Sequence, residues 1–134
     1  MKKILTVGVY DYFHLGHLRL YKQCKEHGDY LIVAVQEGDY ILKFKPNAKV
    51  LYSTDERMEL VESIGIVDEV ITYQSVDEIV KDVDFDVFAV GEDQNHDGFQ
   101  RAIKWCKEHG KEVVILKRTP NICSSQIKNE LIQK

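Results

Sequence analysis

His14 and His17 lie three positions apart, with Gly16 between them, in the segment Gly8-Val9-Tyr10-Asp11-Tyr12-Phe13-His14-Leu15-Gly16-His17. Imidazole N–H groups donate hydrogen bonds to phosphate oxygens, glycine lets the backbone approach a ligand closely, and a helix N-terminus attracts anions. The apolar run ahead of Gly8 reads as a strand and the stretch after His14 as a helix. Strand, turn, glycine and helix therefore follow one another as they do in a phosphate site. Without that context a His-x-Gly-His string is a weak signal, and a pair of surface histidines is its ordinary reading. Asp11 either orients this turn and its histidines or braces the loop as a buried carboxylate. Asp11, His14 and His17 as zinc ligands make a poorer fit, because catalytic zinc sites draw on rigid positions with a clear third ligand.

Cationic and hydroxyl groups recur in two further places. Lys43 and Lys45, with Pro46 and Lys49, fall in residues 36–52, the one long stretch without a clear period, and a loop of that size in a small domain is often a functional lid. By itself KFKPNAK is a solvated turn; beside a phosphate site it reads as part of that site. Near the C-terminus, SSQIKNEL taken alone is an ordinary helix cap; with Arg118 ahead of it and hydroxyls at Ser124 and Ser125, the start of this last helix also offers a second anion cradle. No GxxxxGK[ST] phosphate loop occurs. Trp105 lies beside the apolar stripe of a helix and reads as packing.

Positioning these groups falls to alternating strands and helices. Residues 3–9, 30–35, 69–72, 86–90 and 112–116 are nearly continuous apolar runs, as strands covered on both faces are. Residues 16–27 read as a helix closing at Gly28. Phe99, Ala102, Ile103 and Cys106 mark another, closing at Gly110. Ser53 with Glu56, and Ser75 with Glu78, read as capping boxes opening two more, and residues 125–132 as a last one. This order predicts an α/β fold, a five-stranded parallel sheet with helices on both faces. Its ligand crevice would open at the carboxyl ends of the first and fourth strands, where the strand order reverses.

Composition narrows the partners. The 134 residues carry 18 Lys and Arg against 22 Asp and Glu, a net charge of −4, which argues against general affinity for nucleic acid or an anionic membrane surface. Any anionic ligand must be met locally. Cys24, Cys106 and Cys123 are widely spaced and odd in number, which suits a reduced, cytoplasmic setting. No apolar run approaches membrane-spanning length, so no membrane insertion is expected.

The segment 8–17 resembles GxFDxxHxGH, the signature of the HxGH nucleotidyltransferases, with Tyr10 in place of the usual Phe. Arg118-Thr119-Pro120-Asn121-Ile122-Cys123-Ser124-Ser125-Gln126-Ile127-Lys128 resembles the RTxxIS[TS][TS]xI[KR] segment of the cytidylyltransferase branch. YSTDER (52–57), VDEVI (67–71) and DVFAVGED (86–93) extend the likeness over nearly the whole chain, and within the branch it is most similar to the compact glycerol-3-phosphate cytidylyltransferases.

The resemblance implies a single Rossmann-like domain over 1–134, working as a cytoplasmic homodimer on CTP with Mg²⁺. It implies CMP transfer to a small phosphorylated alcohol with release of pyrophosphate, as in making CDP-glycerol for cell-surface polymers. His14, His17, Lys43, Lys45 and Arg118 would be the catalytic set, with Lys43 and Lys45 also meeting the acceptor. The nucleotide would rest on Gly8, Val9, Tyr10, Asp11, His14, Gly16 and His17, and on Gly91 and Asp93 after the fourth strand. Arg118, Thr119, Ile122, Cys123, Ser124 and Ser125 would complete its site, and Asp93 would meet the metal. Tyr12 stands where adenylyl members often have Pro. The alternatives are an adenylyltransferase such as a small archaeal FAD synthetase, whose GxDQ resembles Gly91-Glu92-Asp93-Gln94, or a non-catalytic nucleotide-binding module. Gly65 and residues 74–79 depart from the glycerol-phosphate pattern, which has an Arg and a Lys there, so a somewhat different acceptor is expected.

Overall fold

Five short runs rich in valine and isoleucine become parallel strands in the computed structural model, which describes residues 1–10, 15–44, 50 and 52–117. In chain order the elements are β1 (Lys3–Gly8), α1 (Leu15–Lys25), β2 (Tyr30–Gln36), α2 (Gly38–Phe44), α3 (Thr54–Glu62), β3 (Glu69–Tyr73), α4 (Val76–Asp82), β4 (Val87–Gly91), α5 (Asp97–Glu108) and β5 (Glu112–Leu116). The sheet order is β3-β2-β1-β4-β5, so the chain builds outward from β1 in one direction and then returns to its other side.

Both faces of the sheet are covered, which is why its strands are apolar throughout rather than alternating. Leu5, Val7, Ile32, Ala34, Phe88 and Val90 face α4 and α5, packing with Val76, Val80, Phe99, Ala102 and Cys106. Ile4, Leu31, Val33, Val35, Val87 and Ala89 face α1 and α3, packing with Tyr21, Cys24 and Val61. Among the described residues no helix is long and apolar enough to cross a membrane.

Pairing along the sheet is uneven. β1 pairs with β2 from Lys3↔Tyr30 to Gly8↔Val35, and β4 with β5 from Val87↔Glu112 to Gly91↔Leu116. Between β1 and β4, however, only Ile4↔Val87 and Leu5↔Phe88 are in register. The sheet therefore splits at its carboxyl end between the two central strands, at the point of order reversal where ligands of such sheets bind.

Local chemistry differs from the sequence reading in three places. Ser53 does cap α3 with a full box: the Glu56 N–H donates to Ser53 Oγ at 3.1 Å and the Ser53 N–H donates to Glu56 Oε1 at 2.9 Å. At Ser75 no such box forms, since its side chain makes no cap bond. The Asp77 carboxylate of α4 lies near that hydroxyl and accepts from Arg101 Nε of α5 at 3.0 Å. Residues 36–52 are not irregular throughout, because α2 occupies Gly38–Phe44. Its one buried apolar side chain among those described, Ile41, leaves no periodic stripe to read. Finally, Gly110 stops α5 in the left-handed region at φ 74°, with the Lys111 N–H bonded back to Cys106 O at 2.9 Å. Gly28 does not play that part. A Cβ there would sit 2.4 Å from Ile4 Cδ1 and 2.8 Å from Lys2 O, so this glycine serves a close backbone approach to β1.

Replacing Ser53 with alanine removes the acceptor for the Glu56 N–H and should cost about 1 kcal/mol in urea denaturation. The Glu56 carboxyl, held below its ordinary value by hydrogen bonds from the Ser53 backbone and side chain, should move back toward it. A group depressed in the folded state stabilises above its unfolded pKa and loses that contribution as pH falls, so the gap between variant and parent should narrow in acid.

Candidate active site

β1 delivers its last residue, Gly8, to the split, and the chain turns there through Val9 and Tyr10. Tyr10 adopts φ 58°, a left-handed conformation uncommon for a bulky residue, and its ring folds back over Gly8. A Cβ on Gly8 would lie 2.6 Å from Tyr10 Cζ, so Gly8 is required by this wedge of aromatic carbon. The Tyr10 ring is 4% exposed and meets His17 edge-on at 5.3 Å and Tyr21 at 5.6 Å between centroids. Its side chain thus lies in the core, leaving its backbone for the crevice. The hydroxyls of Tyr10, Tyr21 and Thr6 gather with the Cys24 thiol in a buried polar cluster. Burial there raises Tyr10 well above the ordinary tyrosine value and pushes Cys24 up to about 12, so Cys24 is a neutral, unreactive thiol.

His17 is half-buried in the first turn of α1, beside Gly16, where helix N–H groups point outward from the helix end. Tyr10 braces the imidazole from the core side. The fold so turns a string of ten residues into a histidine held on a rigid element at the mouth of the split.

The carboxyl end of β2 reaches the same rim and is tied to it by Arg57 of α3, the largest fully buried side chain in the described chain. Its Nη1 donates to Val9 O at 2.9 Å and Gln36 O at 2.7 Å, Nε to Tyr52 O at 3.2 Å, and Nη2 to Thr54 Oγ1 at 3.2 Å. Thr54 Oγ1 also accepts from the Gly38 N–H at 3.0 Å, at the start of α2. One guanidinium therefore joins the turn after β1, the end of β2, the approach to α3 and the helix that carries Lys43. Lys43 itself is exposed in the last turn of α2, its Nζ 5.2 Å from the Tyr40 ring centroid. Arg57 was not among the residues singled out by type and spacing. The available signal was an arginine four positions before Val61 on the buried side of a helix.

Across the split, β4 ends at buried Gly91, followed by exposed Glu92 and Asp93. The turn is closed by the Gln94 N–H on Gly91 O at 2.9 Å and anchored to β5 by the Glu92 N–H on Leu116 O at 2.9 Å. A Cβ on Gly91 would come within 3.0 Å of Asp93 Oδ1, so the carboxylate folds over the strand end. Gly8, Val9, Tyr10, Gly16 and His17 are thus brought to one side of the crevice, and Gly91 and Asp93 to the other. Asp11, His14, Lys45, Arg118, Thr119, Ile122, Cys123, Ser124 and Ser125 lie outside the described residues. Among the described residues no three of His, Cys, Asp and Glu gather as a metal site.

The chain is similar to several known proteins. Glycerol-3-phosphate cytidylyltransferase of Staphylococcus aureus is 37% identical over 139 residues, spanning 100% of this chain and 98% of its own. FAD synthase of Thermococcus sibiricus is 37% identical over 98 residues, covering 71% of this chain and 66% of its own. The crystal structure of the lipopolysaccharide core biosynthesis protein from Thermoplasma volcanium superposes with a TM-score of 0.70 at 27% identity, over 89% of this chain and 97% of that one. The cytidylyltransferase-like family model matches residues 5–130. A match that begins within β1 and continues past β5 takes in the whole sheet and both sides of the crevice, and the chain belongs to the cytidylyltransferase-like family.

Proposed function

We propose that this chain transfers CMP from CTP to a small phosphorylated alcohol, glycerol 3-phosphate or a related polyol or amino-alcohol phosphate. An acceptor phosphate oxygen attacks the α-phosphorus, the bond to the β-phosphate oxygen breaks, and pyrophosphate leaves. The observation that carries this reading is the placement of residues 8–10, which leave β1 at the strand-order reversal, and of His17 in the first turn of α1. Similarity along the full chain to a glycerol-3-phosphate cytidylyltransferase supports the nucleotide and the acceptor class.

No covalent nucleophile is required, and the protein's work is to position phosphates and stabilise their charge. His17, with His14, donates to phosphate oxygens as charge builds. Lys43 and Lys45 close on the triphosphate and acceptor from the segment that Arg57 ties to the rim. Arg118, with the Ser124 and Ser125 hydroxyls, cradles the β and γ phosphates, and Thr119, Ile122 and Cys123 line the same nucleotide site. Asp93 offers a hard oxygen donor folded over Gly91 and would hold Mg²⁺ brought in with CTP, an ion that would supply neutralisation of phosphate charge when bound. A homodimer in the cytoplasm, feeding CDP-activated alcohol to surface polymers, completes the reading, and light scattering tests the assembly state.

A pyrophosphate-release screen crossing CTP and ATP with polyol, amino-alcohol, sugar and flavin phosphates tests the whole. Turnover is expected with CTP and a small polyol or amino-alcohol phosphate, with glycerol 3-phosphate equalled or exceeded by at least one other acceptor. Calorimetry should find CTP with Mg²⁺ bound more tightly than ATP. Equal or tighter ATP binding moves the protein to adenylyl transfer, the reading that the FAD synthase relative favours. Nucleotide binding without pyrophosphate release from any pair makes it a sensing module.

A further inference from the structure

Among the described residues, the Gln94 side chain bridges the split between β1 and β4. If the register Ile4↔Val87, Leu5↔Phe88 ran on, Val7 would face Val90, and the Gly91 N–H would donate directly to Val7 O as the next rung of a parallel ladder. The Gln94 carboxamide stands between those two groups. Its Oε1 accepts from the Gly91 N–H at 2.9 Å, and its Nε2 donates to Val7 O at 2.9 Å. A primary amide carries the donor and acceptor that the interrupted rung needs, and being one carboxamide wide it holds the strands that far apart. Val7 and Gly91 are both buried, so neither could be left unpaired at low cost.

We infer that Gln94 is a positioning residue that sets the width of the nucleotide crevice, holding the turn after β1, with His17, at a fixed spacing from the Gly91–Asp93 turn. This rests on the proposed function, since the ligand whose fit it governs is CTP. Gln94 need not touch substrate. It acts through the two main-chain groups it joins. Its neighbours on the turn are the carboxylates of Glu92 and Asp93, neither of which can replace an amide donor to Val7 O. The described groups facing it from β1, Val7 and Gly8, carry no charge.

Two variants separate this role from simple packing. Gln94→Met keeps the length and removes both hydrogen bonds. Gln94→Asn keeps the amide on a stem one methylene too short to span the gap. With the fold checked by circular dichroism, each variant should bind CTP about tenfold or more weakly than the parent, a loss on the scale of one buried hydrogen bond. In Gln94→Met the Gly91 amide should also exchange faster than in the parent, because its acceptor is gone. CTP affinity within about twofold of the parent for folded Gln94→Met and Gln94→Asn overturns the inference. If the parent binds no CTP, it is the function that fails. Amide exchange then decides the spacer: faster exchange at Gly91 in Gln94→Met upholds it, and unchanged protection there overturns it.

Discussion

His17→Ala should lower turnover by about a hundredfold or more with the fold intact, the loss expected when a preorganised donor to a reacting phosphate is removed. His17 is held edge-on by the buried Tyr10 ring at 5.3 Å, so its geometry is fixed before substrate arrives. Losing that ring contact should cost stability only on the order of 0.5–1.5 kcal/mol, the range of an aromatic pair. The two effects separate in a single experiment: circular dichroism and urea denaturation report a small change, while pyrophosphate release under saturating substrates reports a large one. Turnover within a few fold of the parent would remove His17 from the catalytic set. His14→Ala is expected to behave alike, on the strength of its place in the motif.

Arg57→Met should destabilise the protein by about 3 kcal/mol or more, among the largest effects available from one substitution outside the apolar core. Three main-chain carbonyls, Val9, Gln36 and Tyr52, would lose donors in a part-buried region, and each group left unsatisfied costs about 1–3 kcal/mol. Arg57→Lys should recover only part of this. A single ammonium cannot serve acceptors that the planar guanidinium reaches from three nitrogens. Urea denaturation of both variants checks the order. A loss below about 1 kcal/mol for Arg57→Met would mean that water takes over the contacts, and the rim of the crevice would then not depend on this residue.

The strands were legible because burial on both faces writes itself into sequence as unbroken apolar runs, and β5 was placed at 112–116 as observed. The crevice followed from the alternation of elements, since right-handed crossovers leave few strand orders. What the sequence hid is what depends on contact between distant positions. Gln94 reaches Val7 across 87 positions, and Arg57 reaches Val9 across 48. Arg57 entered the sequence reading only within YSTDER and Gln94 only within the GxDQ likeness, and neither pattern says what the side chain touches. Gly28 looked like a helix stop because glycines at helix ends usually are, and only the nearness of Ile4 and Lys2 shows why it is glycine. Ser75 has the residue type and spacing of a cap but makes no cap bond, and the nearby Asp77 carboxylate is engaged by Arg101 of another helix.

The uneven seam in the sheet also bears on how the molecule is made. The first 73 residues contain all of β1, β2 and β3, whereas β4 begins only at Val87. As the chain leaves the ribosome, three strands of the sheet are available before the other neighbour of β1 exists. During that interval the strand destined for the centre has one bare edge of unpaired main-chain N–H and C=O groups, and such edges template pairing between nascent chains. The two-pair junction that opens the crevice in the finished protein is thus also where a growing chain is most exposed to its neighbours on the same messenger.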